Sequence, residues 1–172
     1  MSNDKEYVVK IPDFRAQPSE NMSQSVDQAV KSYHEIIADL MGQLRQGGLS
    51  NEGKVYDIYL LGQLRATEAV TILIGNIDFK ASKVDPKGGI GRWGMYPAHE
   101  ALSKVGAPAV NMILDKLASE RNDLRRKLMC FVISDVEGKD FGKMLVKLRY
   151  DQESDPLKKA QLELALRVLD GT

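Results

Sequence analysis

Apolar residues recur along this chain at intervals of three and four, the period of one face of an α-helix rather than the alternation of a strand. The clearest stretch runs from Ala98 to Leu117. Ala98, Ala101, Leu102 and Val105 share one face, and Gly106 closes that helix. Ala107-Pro108 restarts the chain, with Pro108 in a first turn where its missing N–H costs nothing. Val110, Ile113, Leu114 and Leu117 then line a second face. Two short helices joined by a Gly-Ala-Pro corner predict an αα-hairpin that cannot bury both inner faces without neighbours.

The same punctuation divides the rest of the chain. Residues 1–22 are polar, carry Pro12 and Pro18, and predict an extended arm. Ser25 with Gln28 fits a capping box, followed by a stripe of Val26, Ala29, Val30, Tyr33, Ile37, Leu40, Met41 and Leu44 that ends at Gly47-Gly48. Ser50 can cap a second helix bearing Val55, Ile58, Tyr59, Leu61 and Leu64. Ala69, Val70, Leu73 and Ile74 face inward on its partner. Asn122 can cap a helix carrying Leu124, Leu128, Phe131, Val132 and Val136, which Gly138 ends. Asp140 opens another, expected to hold Phe141, Met144, Leu145 and Leu148 inside and Lys139, Lys143 and Lys147 outside. Asp155-Pro156 starts the last helix, with Leu162, Ala165, Leu166 and Leu169 inward. Residues 78–97 break the rhythm. Their four glycines and two prolines predict an irregular inserted loop, and loops of that length are often functional.

The segments Leu60–Ile77 (LLGQLRATEAVTILIGNI) and Ala98–Leu117 resemble HEAT-like repeats, in particular the short bacterial type of phycocyanobilin-lyase-like proteins. The resemblance covers roughly residues 50–169. It implies an all-α fold, a right-handed HEAT-like α-solenoid of about four antiparallel helix pairs over residues 23–172, with the loop 78–97 inserted. Its motifs are small and apolar residues that determine shape, so it implies architecture and no particular chemistry.

Composition narrows the function classes. At 172 residues, 43% of them apolar, the chain suits one folded domain. Lysine plus arginine equals aspartate plus glutamate at 24 each, so no net field draws it to nucleic acid or anionic lipid. Cys130 is the single cysteine, which excludes an internal disulfide or a cysteine zinc cluster, and its setting in LMCFVIS predicts a buried, inert thiol. No apolar stretch approaches the ~20 residues needed to span a bilayer. The N-terminal MSNDKEYVVKIPDF lacks the order of a signal peptide, so the expected location is cytoplasmic, or secreted if a signal has been removed.

Four constellations invite chemistry. Gly89-Ile90-Gly91-Arg92-Trp93-Gly94 spells GxGxxG, but the strand before it and the helix within it that a dinucleotide site requires are both missing. His34-Glu35 and His99-Glu100 are similar to the His-Glu pairs of deoxyhypusine hydroxylase, a HEAT-like enzyme that holds two irons. That family uses four such pairs, and this chain has two histidines in all. Arg125, Arg126 and Lys127, or the lysines at 139, 143 and 147, could form a small basic patch of the kind a HEAT-like DNA glycosylase needs; zero net charge opposes it. Finally, Arg92, Trp93, Met95 and Tyr96 sit on the Gly-rich loop, followed by His99. Trp, Tyr and Arg dominate protein–protein hot spots, although Trp93 and Tyr96 could equally fold back to plug the gap between hairpins. The expected function is a non-enzymatic interaction scaffold. It binds a protein or peptide, not nucleic acid or membrane, through Arg92, Trp93, Met95, Tyr96 and His99, with no catalytic residue, metal or cofactor. The alternative is a HEAT-like enzyme or accessory factor, bilin-lyase-like or iron-dependent hydroxylase-like.

Overall fold

A computed structural model describes residues 19–81 and 95–171, with side chains from residue 28 onward. Among the described residues all regular structure is helical. The helices are α1 (Ser19–Gln46), α2 (Asn51–Gln63), α3 (Val70–Gly75), α4 (Pro97–Val105), α5 (Ala107–Leu117), α6 (Asp123–Glu137), α7 (Lys139–Gln152) and α8 (Pro156–Gly171), with a 3-10 turn at Thr67–Ala69 leading into α3. No helix among them is long and apolar enough to cross a membrane.

Local chemistry sets several of these boundaries. The Ser50 hydroxyl accepts from the Gly53 N–H at 3.0 Å and opens α2. The Asn122 side-chain oxygen does the same for α6, accepting from Arg125 N–H at 3.1 Å. Gly106 (φ 82°) and Gly138 (φ 79°) turn the chain between α4 and α5 and between α6 and α7, in a backbone region that L side chains rarely adopt. The first helix departs from expectation. It begins at Ser19, inside the stretch assigned to the arm, so Ser25 lies within the helix rather than capping it. The remainder of that arm lies outside the described residues.

Helices α2, α4, α6 and α8 pack side by side in that order, and α3, α5 and α7 form a second row against them. One continuous core runs from Ile37 and Leu40 on α1 to Leu162, Ala165 and Leu169 on α8. Both faces expected for Ala98–Leu117 are buried throughout. Neighbouring helices approach closely at glycine. A Cβ placed on Gly62 would lie 2.7 Å from the Ala101 Cα, so α2 meets the α4 backbone directly.

Helix α7 corrects the sequence reading. Its buried residues are Gly142 and Val146, and a Cβ on Gly142 would meet Ile133 Cγ2 of α6 at 2.7 Å. Leu145 is half-buried, whereas Phe141, Met144 and Leu148, expected inside, are 46%, 55% and 54% exposed. The contact with α6 takes the small residue, and the larger side chains are turned away from it. Leu124 on α6 and Val30 on α1 are also exposed rather than inward.

Candidate functional site

The two described ends of the inserted loop meet in a closed neck. The Ala81 N–H donates to the Met95 carbonyl at 3.0 Å, so the chain returns to the point from which it departed. Phe79 packs against the core on the outgoing side, with Lys54 Nζ 4.4 Å from its ring centroid. Tyr96 packs against the core on the returning side and its carbonyl accepts from His99 N–H as α4 begins. Of the expected binding residues, Met95 is exposed and Tyr96 half-buried at this neck. Arg92 and Trp93, with the GxGxxG of residues 89–94, lie outside the described residues.

His99 stands in the first turn of α4 and faces α6. Its Nε2 is 3.2 Å from Asp135 Oδ2, an ion-pair separation without hydrogen-bond alignment. Ser103 Oγ also donates to Asp135 Oδ2 at 3.3 Å, and Phe131 meets the imidazole edge-on at 6.4 Å. His34 forms the second such bridge, its Nδ1 3.1 Å from Glu68 Oε1 beyond the α2 corner. The Glu68 carboxylate, held by its own backbone N–H and further by Thr67 and His34, titrates below the usual range despite partial burial. Each histidine therefore pairs with a carboxylate from another element. Among the described residues no three His, Cys, Asp or Glu side chains converge to hold a metal ion.

The basic residues of α6 are absorbed by structure. Arg125 donates from Nη2 to the Ile74 carbonyl (2.9 Å) and from Nη1 to Asp78 Oδ1 (2.6 Å) and the Gly75 carbonyl (3.3 Å), while its Nε donates to Glu120 Oε2 (3.0 Å). One side chain thus satisfies the C-terminus of α3 and anchors the start of the inserted loop. Burial works against its charge, but Glu120 and Asp78 outweigh that and raise its pKa above the ordinary value. Arg126, almost fully buried, donates to Asp123 (2.5 Å), the Glu120 carbonyl (2.8 Å) and Gln161 Oε1 on α8 (2.6 Å). The expected patch at 125–127 therefore presents only Lys127 as an exposed cation.

Two features have weak sequence signals. Asp57 on α2 is buried, its Oδ2 has no hydrogen-bond partner among the described residues, and desolvation pushes its pKa up to about 6. A lone aspartate among the apolar residues of α2 is the only trace of it. At the other end, an open cleft of about 300 Å³ lies where α5, α7 and α8 meet, floored by Leu114 and Leu162 and rimmed by Asp115, Arg149, Glu153 and Lys158. Arg149 pairs with Asp115 across it. Cys130 is fully buried at the α6–α8 contact, and burial pushes its thiol up to about 12, so it holds no reactive thiolate. No protein-family model matches the chain, and comparison with curated proteins and with solved structures gives no match.

Proposed function

We propose that this protein is a HEAT-like α-solenoid that acts as a non-enzymatic interaction scaffold, taking a protein or peptide partner on the surface around its inserted loop. The two rows of helices, packed in chain order with glycine at a close approach, support the repeat architecture. The closed neck carries the functional reading. Ala81 and Met95 are bonded to each other, so the thirteen residues between them join two ends that the fold already holds together. A long excursion of that kind, bearing Arg92 and Trp93 and flanked by the exposed Met95, is the usual vehicle of recognition. His99, paired with Asp135 of α6, borders this surface and completes the set of binding residues with Arg92, Trp93, Met95 and Tyr96.

The test replaces residues 82–94 with a short Gly-rich turn. The expected protein melts within a few degrees of the parent yet no longer retains the partner that the intact chain captures, and Trp93→Ala weakens capture by ~2 kcal/mol or more. Undiminished capture without the loop would remove this reading.

A further inference from the structure

The outward stripe of α7 has no use in the scaffold reading, and its sequence is that of a helix–helix seam. Phe141, Met144 and Leu148 follow i, i+3, i+7 spacing and fall within about 60° of helical arc, all about half exposed. Leu145, half-buried, borders one flank. Asp140 and Lys147 lie together on the other flank, within about 20° of each other around the axis.

We propose that α7 is a homodimer interface in which a second copy of the chain packs antiparallel, with the two-fold axis passing beside Met144. That symmetry sets Phe141 against the second copy's Leu148. It also brings like flank to like flank, so Asp140 of each copy faces Lys147 of the other, twice over. A parallel pair would bring unlike flanks together and set Asp140 against the apolar Leu145, so the charge pattern selects the antiparallel form. Lys147 already pairs with Asp151 along α7, but both are exposed, and a surface pair of that kind exchanges partners at little cost. Fourteen residues give a seam of about 20 Å, which suits a reversible dimer rather than an obligate one.

Sedimentation velocity of the full chain, at concentrations raised toward roughly 1 mM, reads this directly. The expected result is a monomer–dimer equilibrium that Met144→Asp weakens at least tenfold. Val30→Asp, at an equally exposed apolar site on α1, should leave it unchanged, and circular dichroism should show both variants fully helical. Asp140→Lys and Lys147→Asp should each weaken the dimer severalfold, and the two together should restore it. A monomer throughout, or a dimer indifferent to Met144→Asp, would overturn the interface. Failure of the double reversal to rescue would overturn the antiparallel geometry.

Discussion

Asp57 holds a carboxylate where water does not reach, and no described residue donates to its Oδ2. Its folded pKa, about 6, stands above the ordinary value of 3.8, so the fold favours the neutral acid. Stability from this group is therefore complete below about pH 4, falls as pH rises toward about 6, and stays lost above that. Asp57→Asn keeps the shape and removes the charge. It should raise stability at pH 7 by about 1–2 kcal/mol and change nothing near pH 4, as read by urea melts at the two pH values. An equal effect at both would show that ionising Asp57 carries no penalty in the fold. Gly62 tests the close approach of α2 and α4. A methyl added there would lie within 2.7 Å of backbone, which cannot rotate aside, so Gly62→Ala should cost about 1–3 kcal/mol despite the better helix propensity of alanine. A stabilised variant would show that the two helices can separate freely at that point.

At the scale of elements, legibility follows the contrast between faces. Helices α4 and α5 are readable to the residue, because each has a single apolar stripe bounded by Gly106 and Pro108. The Ser50 and Asn122 caps are equally plain, since the side chain that opens each helix is named in the sequence. Helix α7 misleads for a definite reason: it has two candidate faces, and the larger side chains lie on the outer one. Close packing on Ile133 demands a residue without a side chain, and Gly142 adds nothing to a hydrophobic stripe. Burial of Arg126 is hidden likewise, because its partners Glu120 and Gln161 lie six positions before it and thirty-five after it. The corrected register makes a sharp contrast. Val146→Ala should cost about 1.5–3 kcal/mol through loss of buried methyls, and Met144→Ala should fall within about 0.5 kcal/mol in the monomer. Thermal melts of the two variants, compared at low protein concentration, decide between the faces.

For the molecule as a whole, the question is whether the helices unfold together. A row of stacked pairs could fray from its last helix, since each element of such an array leans on its neighbours alone. Here α8 is tied in more than one way. Leu162, Ala165 and Leu169 belong to the same buried cluster as the residues of α1, Arg126 donates to Gln161, and Lys143 of α7 pairs with Asp170. Cys130 reports on that attachment. Its sulfur is fully buried, 3.7 Å from the Ala165 carbonyl of α8, so departure of α8 would uncover it to a reagent. Raised to about 12, the thiol holds almost no thiolate at neutral pH, so labelling occurs only from an opened state. If the fold opens as one unit, labelling of Cys130 should slow by the equilibrium unfolding constant, matching denaturant melts to within about tenfold and accelerating with urea at the same slope. Labelling that is much faster and nearly insensitive to urea would mean that α8 detaches alone, and would separate the last helix from the cooperative unit.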